Sequence, residues 1–238
     1  QGGEIIYSDP RSPASRITER LAHFGNTTLI DAILDIPFRY ACEGFFQVNI
    51  PVYEQALRDM QEWVSRESSY WQLGHHQKII RDPHKVAQIF SEVPLAADQP
   101  ILDFYAGVGT IGLTIGSGNV TLVEINTDAV REMQRNITEL DRTDARAVLA
   151  PSEQALDHIT GKEIVIVDPP RAGLHPDVIA TLLQKLPPRI IYLSCNPVTQ
   201  ARDVALLQQS YQITWHRGYN FFPRTPHIEH LIILDKKP

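Results

Sequence analysis

The sequence predicts an α/β fold built on a mostly parallel β-sheet with helices on both faces. From about residue 99 onward, short apolar runs alternate with stretches of helical periodicity, which is the pattern of parallel strands joined by helices. The runs are continuously apolar, as expected for strands that are buried on both faces. The length of 238 residues fits one large domain, or an ordinary domain with an appendage.

The residues before this domain predict a small extension of short strands and helices. Short β-like patches lie in Glu4–Tyr7 and Thr27–Tyr40. Apolar residues recur at four-residue steps in Ile50–Val64, which predicts an amphipathic helix. Asp82 followed by Pro83 predicts the start of a second helix, with the aspartate as its N-cap.

The main domain is predicted to contain seven strands. These are Ile101–Tyr105, Val120–Val123, Ala147–Leu149, Ile164–Val167, Ile190–Leu193, Ile213–Trp215 and Leu231–Leu234. Helical periodicity fits residues 127–139, 152–159, 176–186 and 198–209. No helical stretch separates the last two strands, so we expect them to form an antiparallel pair at one edge of the sheet.

Composition excludes several classes of protein. No apolar run reaches about 18 residues, so no membrane-spanning helix is expected. The net charge of -6 argues against a protein that coats nucleic acid through bulk positive charge, although a local basic patch is compatible with it. Two cysteines, Cys42 and Cys195, cannot form a disulfide scaffold, a four-thiolate zinc site or an iron–sulfur cluster within this chain. A reducing, cytoplasmic setting and no metal are therefore expected.

A glycine-rich loop follows the first strand of the main domain. Gly107, Gly109 and Gly112 form a G-x-G-x-x-G pattern between a strand and a helix, where the backbone can approach a ligand closely. The second strand ends near Glu124, whose carboxylate is placed to accept the ribose hydroxyls of an adenosine. The loop alone leaves both a dinucleotide and S-adenosylmethionine open as the cofactor.

Three further strand ends carry candidate chemistry. Asp168 begins an Asp-Pro-Pro sequence after the fourth strand, a motif that recurs in methyltransferases acting on planar nitrogenous bases. Cys195 ends the fifth strand, where a nucleophile could reach a bound base, although a lone cysteine is commonly a small buried hydrophobe. Arg224, His227 and Glu229 lie in the C-terminal hairpin loop and either face the same crevice or are solvated loop charges.

Together these motifs resemble the RNA uracil-5 methyltransferases, which make 5-methyluridine in tRNA or large-subunit rRNA. The resemblance runs from Phe45–Asn49 to the C-terminus and includes Asp103–Leu113, Val123–Glu124, Asp168–Leu174, Ser194–Pro197 and Phe222–Glu229. It implies a Rossmann-like class I methyltransferase fold with a seven-stranded, mostly parallel sheet and an antiparallel C-terminal edge strand. It also implies S-adenosylmethionine as cofactor and RNA as substrate.

The resemblance also implies roles for individual residues. Cys195 matches the nucleophile that adds to C6 of uracil, and Glu229 matches the base that removes the C5 proton. This chemistry needs both groups, because C5 of uracil is a poor nucleophile until a thiolate has added to C6. Arg171 or Arg224 could lower the thiol pKa. The implied cofactor-binding residues are Gln47, Tyr105, Thr110, Glu124 and Asp168.

The sequence departs from the family pattern in three places. The family commonly carries an RNA-binding β-barrel and a central domain, often with an iron–sulfur cluster, for which this sequence lacks the length and the cysteines. Ser65–Arg81 is expected to be an insertion, and Pro151–Glu153 replaces a segment that usually contains an aspartate near the adenine. We therefore expect a β-rich remnant of the central domain in 1–46, a helical connection in 47–98 and the methyltransferase domain in 99–238.

Three other functions stay open at the level of the sequence. An amino-group methyltransferase would use Asp-Pro-Pro to polarise an exocyclic nitrogen and would need neither Cys195 nor Glu229. A dinucleotide-dependent oxidoreductase rests on the glycine loop alone and leaves Asp168–Gly173 unexplained. A non-enzymatic domain that binds RNA or another partner would have no need to retain a nucleophile, a base and a cofactor motif together.

Overall fold

The computed structural model describes residues 2–7, 18–41, 44–65, 99–116 and 118–238. Two antiparallel hairpins come first in the chain. Strand β1 (Gly2–Tyr7) pairs with β2 (Glu19–Gly25), and β3 (Thr28–Ile33) pairs with β4 (Ile36–Ala41). The sequence did not predict β2, because every residue of this strand is exposed and no buried face imposes an alternating apolar pattern.

Helix α1 (Ile50–Val64) has the predicted bounds and buries one face, which includes Tyr53, Leu57, Met60 and Trp63. These side chains join the same hydrophobic cluster as residues of the main sheet. The helix predicted from Asp82 lies outside the described residues, as does most of the predicted insertion. The division into segments 1–46, 47–98 and 99–238 stays a prediction.

The main domain is a seven-stranded sheet, which confirms the predicted fold class. Its strands are β5 (Ile101–Phe104), β6 (Val120–Glu124), β7 (Ala145–Leu149), β8 (Ile164–Val167), β9 (Arg189–Ser194), β10 (Tyr211–Tyr219) and β11 (Glu229–Lys236). They lie in the order β10-β11-β9-β8-β5-β6-β7, and β5 to β9 are parallel. The C-terminal strand β11 is antiparallel to both of its neighbours and inserts between β9 and β10.

Helices cover both faces of the sheet. Helices α2 (Thr110–Ile115) and α3 (Thr127–Glu139) pack with α1 on one face, and α4 (Pro176–Lys185) and α5 (Pro197–Leu207) pack on the other. Within the described ranges, no helix is both long enough and apolar enough to cross a membrane.

The prediction of a helix over residues 152–159 is wrong. Two 3₁₀ turns, Ser152–Gln154 and Leu156–His158, take its place. Ala155 lies between the turns at φ -110° and ψ 22°, outside the α-helical region, so a continuous helix is interrupted there. Ala155 and Ile159 still reach the core, and this burial produced the misleading helical spacing.

A buried ion pair fixes β11 against β9. Arg189 and Asp235 are 0% and 1% exposed, and they form a two-pronged contact with N–O distances of 2.6 and 3.1 Å. Arg189 also donates to the main-chain carbonyl of Trp63, and Thr214 donates to Asp235 at 2.8 Å. The pair therefore joins β9, β10, β11 and the end of α1.

Replacing Asp235 with alanine should strongly destabilise the fold. The change leaves a buried guanidinium without its neutralising carboxylate, a type of loss that costs about 3–5 kcal/mol. Urea unfolding followed by circular dichroism measures the difference, with the exposed Asp157→Ala as control. Equal midpoints for Asp235→Ala and the control would show that the pair contributes little to stability.

Candidate active site

The glycine loop between β5 and α2 is closely packed on one side and open on the other. A Cβ on Gly112 would lie 2.5 Å from Leu122 Cδ2 and 2.9 Å from Asp103 Oδ2, so only glycine lets α2 lie this close to the sheet. Gly107 has φ +56°, and among the described residues beyond its two chain neighbours no atom lies within 4 Å of where its Cβ would be. The loop therefore borders an open crevice at the carboxyl edge of the sheet, the edge where α/β folds bind ligands.

Glu124 holds the outer part of this loop. Its carboxylate accepts the N–H of Gly107 at 3.0 Å and the N–H of Asn126 at 2.8 Å. The Asn126 side chain in turn caps α3. A carboxylate has about four acceptor sites, so Glu124 retains the capacity to accept hydroxyl groups of a ligand as well.

Asp103, at the end of β5, and Gln47, one of the predicted cofactor-binding residues, each have a buried acceptor atom without a hydrogen-bond partner among the described residues. The atoms are Asp103 Oδ1 and Gln47 Oε1. The other oxygen of Asp103 accepts the Gly112 N–H at 2.9 Å. Burial raises the pKa of Asp103 to about 7, and the charge of Glu124 adds to the effect. Since an unpaired buried polar atom is costly, these two atoms fit a ligand that brings its own N–H donors.

Tyr105 and Thr110 flank the glycine loop and are each held by another hydroxyl. Ser152 donates to the Tyr105 hydroxyl at 2.8 Å, and the Tyr53 and Thr110 hydroxyl oxygens are 2.9 Å apart. Ser152 belongs to the Pro151–Glu153 segment that departs from the family pattern. This segment thus holds the Tyr105 side chain in place through Ser152.

Asp168, Cys195 and Glu229 meet at the same edge of the sheet. Asp168 follows β8 and Cys195 follows β9, which are adjacent parallel strands. On the other side of β9, His230 pairs with Ser194, and the same register continued by one residue sets Glu229 opposite Cys195. Glu229 is 4% exposed, whereas Cys195 and Asp168 are partly exposed.

The crevice is acidic, and the positive charge of Arg171 opposes this character. Burial raises the pKa of Cys195, Glu229 and Asp168 raise it further, and Arg171 lowers it. Burial also raises the pKa of Glu229 to about 7, again against the effect of Arg171. The pKa of Asp168 is raised well above its usual value by burial, then by Glu229 and Asp103. Of the two arginines suggested by the sequence, Arg171 is the one whose charge lowers the pKa values of Cys195 and Glu229.

The loop that carries Arg171 is anchored to α5 by residues that the sequence analysis missed. The Arg171 carbonyl accepts hydrogen bonds from Asn196 Nδ2 at 2.9 Å and Thr199 Oγ1 at 3.1 Å. The buried carboxylate of Asp203 accepts the Leu174 N–H at 2.8 Å. An asparagine directly before a proline is a recognisable helix N-cap signal, but nothing in the sequence marked Asp203.

The basic residues Arg217 and Lys236 of the C-terminal hairpin lie apart in the structure. Arg217 lies near the carboxyl edge and pairs with Asp59 at 3.0 Å, whereas Lys236 lies at the opposite end of β11 from Glu229. Among the residues that the structure describes, no group of three or more histidine, cysteine or acidic side chains is arranged to hold a metal ion.

The reactivity of Cys195 should respond in opposite directions to two neighbouring charges. Arg171→Ala removes a positive charge and should raise the thiol pKa, so that alkylation by iodoacetamide requires a higher pH. Glu229→Gln removes a negative charge and should lower the thiol pKa, so that alkylation begins at a lower pH. Peptide mass spectrometry at Cys195 across a pH series measures both shifts.

The exposed Arg131→Ala on α3 is the matched charge control and should leave the profile unchanged. Profiles that shift in the same direction for Arg171→Ala and Glu229→Gln would contradict the electrostatic arrangement.

The chain is similar in sequence to known methyltransferases. A family model described as tRNA (uracil-5-)-methyltransferase matches residues 154–237. A protein of Nitratidesulfovibrio vulgaris named as an uncharacterized RNA methyltransferase is 36% identical over 177 residues, which cover 69% of this chain and 38% of the relative. A protein of the same name from Enterococcus faecalis is 28% identical over 225 residues, covering 92% of this chain and 43% of the relative. The chain thus spans about two fifths of the length of these relatives.

A solved structure shares the fold over nearly the whole chain. It is the Pyrococcus abyssi tRNA (uracil-54, C5)-methyltransferase in complex with S-adenosyl-L-homocysteine, at 28% identity and a TM-score of 0.73. The match covers 98% of this chain and 50% of that one.

Proposed function

This chain belongs to the RNA uracil-5 methyltransferase family, and we propose that it transfers a methyl group from S-adenosylmethionine to C5 of a uridine in tRNA or rRNA. The observation that carries the proposal is the meeting of Cys195 and Glu229 on neighbouring strands, at the edge that also holds the glycine loop. An amino-group methyltransferase would need neither side chain, and a dinucleotide oxidoreductase would leave both unused.

The residues around the glycine loop fit the proposed cofactor. Glu124 is positioned for the ribose hydroxyls, and the unpaired acceptors of Gln47 and Asp103 suit its N–H groups. Tyr105, Thr110 and Asp168 complete the predicted cofactor-binding set. When bound there, S-adenosylmethionine supplies an electrophilic methyl group on a positively charged sulfur.

The catalytic roles follow from the chemistry of uracil. We assign the Cys195 thiolate to attack C6, which places carbanion character on C5 and allows C5 to accept the methyl group. Glu229 then takes the C5 proton, and the electrons of that C–H bond re-form the C5–C6 double bond as the thiolate leaves. A carboxyl whose pKa is about 7 is partly ionised at neutral pH, so Glu229 is suited to accept this proton.

We propose that the three segments predicted from the sequence have different roles. Residues 99–238 form the proposed catalytic domain, with RNA approaching the edge where Cys195 is partly exposed. Residues 1–46 and 47–98 are the proposed central-domain remnant and helical connection. With a net charge of -6, this chain depends on local contacts rather than bulk charge to hold RNA.

Substitution of the two catalytic residues should stop the reaction at different stages. Cys195→Ala cannot form a bond to RNA and should be inactive and free of adduct. Glu229→Gln keeps the nucleophile but loses the proton acceptor, a loss of about 10²–10⁴-fold in rate, so a methylated covalent protein–RNA species should accumulate. Incubation with unmodified tRNA and labelled cofactor, followed by a denaturing gel and nucleoside mass spectrometry, measures both outcomes.

The matched controls are Cys42→Ala for the loss of a thiol and the exposed Glu139→Gln for the change of charge. Methylation by Cys195→Ala would disprove the uracil-5 mechanism and favour the amino-group alternative. Normal turnover by Glu229→Gln would assign the proton to another base.

Replacement of Glu124 should weaken cofactor binding. Glu124→Ala removes the proposed ribose acceptor and also frees the Gly107 N–H that orders the loop. Since hydrogen bonds to a charged group contribute about 1.5–3 kcal/mol, affinity for S-adenosylhomocysteine should fall at least tenfold in calorimetry. The exposed Glu139→Ala should bind like the unaltered protein, and unchanged affinity of Glu124→Ala would move the adenosine site elsewhere.

A further inference from the structure

We propose that Tyr53 is a positioning residue whose hydroxyl orients the Thr110 hydroxyl as a hydrogen-bond donor to the carboxylate of the cofactor's amino-acid end. This inference rests on the proposed function, because it assumes that S-adenosylmethionine binds at the glycine loop. Neither the motifs nor the family resemblance drew attention to Tyr53, which lies on α1 rather than on the sheet.

The position of Tyr53 is tightly determined. The residue is 2% exposed, and its ring meets that of Phe221 edge to face, with centroids 5.8 Å apart and planes at 83°. Asn49, directly before α1, donates to the Phe221 carbonyl at 3.2 Å. The Tyr53 hydroxyl oxygen is 2.9 Å from Thr110 Oγ1. Helix α1 therefore holds the Tyr53 hydroxyl in a fixed position beside Thr110, the first residue of α2.

We assign Tyr53 as the donor of this hydrogen bond from the chemistry of the two hydroxyl groups. Burial raises the pKa of Tyr53, the hydrogen bond with Thr110 lowers it, and the charges of Asp168, Asp103 and Glu229 raise it, so on balance the hydroxyl stays protonated. A phenol is also a stronger acid than an aliphatic alcohol, which makes Tyr53 the better donor of the two. When Tyr53 donates, the Thr110 oxygen is the acceptor and its own proton is directed away from Tyr53.

The ligand chemistry follows from what lies beside this hydroxyl pair. Thr110 offers a donor, which suits an anionic oxygen, whereas the unpaired Oδ1 of buried Asp103 offers an acceptor, which suits an ammonium group. The other oxygen of Asp103 accepts the N–H of Gly112, two residues after Thr110 on α2, so donor and acceptor lie close to each other. A carboxylate and an ammonium on one carbon form the amino-acid end of the proposed cofactor.

The test compares two ligands that differ in that end. S-adenosylhomocysteine carries the amino-acid carboxylate, and 5′-methylthioadenosine keeps the adenosine and the thioether without it. In calorimetry, Tyr53→Phe should bind S-adenosylhomocysteine about five- to tenfold more weakly and bind 5′-methylthioadenosine as the unaltered protein does. Thr110→Val should likewise weaken binding of S-adenosylhomocysteine but not of 5′-methylthioadenosine. Thr110→Ser keeps the hydroxyl and should bind S-adenosylhomocysteine as the unaltered protein does.

A double variant completes the test. Tyr53 acts only through the Thr110 hydroxyl, so adding Tyr53→Phe to Thr110→Val should weaken S-adenosylhomocysteine binding no further than Thr110→Val alone. Equal losses for both ligands would show a structural role and overturn the proposal, as would unchanged affinity for S-adenosylhomocysteine. If Tyr53→Phe fails to fold, Thr110→Val still tests whether the Thr110 hydroxyl contacts the amino-acid end of the ligand, and an equal loss for both ligands there overturns the proposal. An unaltered protein that binds neither ligand would overturn the proposed cofactor itself, a result distinct from a failure confined to the variants.

Discussion

The antiparallel insertion of β11 beside β9 is the constraint on which the rest of the site depends. In a parallel sheet the functional edge is formed by strand ends, and Asp168 and Cys195 follow the ends of β8 and β9. Glu229 instead begins β11, and it reaches the same edge only because that strand runs in the opposite direction. The buried Arg189–Asp235 pair lies toward the far end of these two strands and holds the register that sets Glu229 opposite Cys195.

This arrangement concentrates acidic groups in a partly dehydrated crevice. Burial raises the pKa values of Asp103, Asp168 and Glu229, and the charges of Glu229 and Asp103 raise that of Asp168 further. Burial and the charges of Glu229 and Asp168 likewise disfavour a thiolate at Cys195. Arg171 only partly offsets this effect. Any further positive charge that enters the crevice lowers these pKa values together, because it stabilises each ionised form. The electrostatics therefore favour a cationic ligand.

The sequence predicted the sheet well because the central strands β5, β8 and β9 are predominantly apolar and buried along their whole length. It failed for β2, which buries no face, and for residues 152–159, where two 3₁₀ turns mimic helical spacing. The candidate site was predictable as a set of strand ends, yet strand order is a tertiary property, and local sequence does not encode that β11 inserts beside β9. Tyr53 and Asp203 were not recognisable for the same reason, since their partners are distant in the chain.

Helix α1 connects the two halves of the site. Tyr53 contacts the glycine loop through Thr110, Asp59 accepts the Tyr219 hydroxyl of β10 at 2.5 Å, and the Trp63 carbonyl accepts from buried Arg189. Tyr53 and Trp63 are about 15 Å apart along the helix at 1.5 Å per residue, so one rigid element spans from the proposed cofactor end to the ion pair. A displacement of α1 would shift the Thr110 contact and the support of β9 and β11 together. Helix α1 thus fixes the position of the proposed cofactor pocket relative to β11, the strand that carries the proposed base. In-line transfer of a methyl group to C5 requires such a fixed geometry.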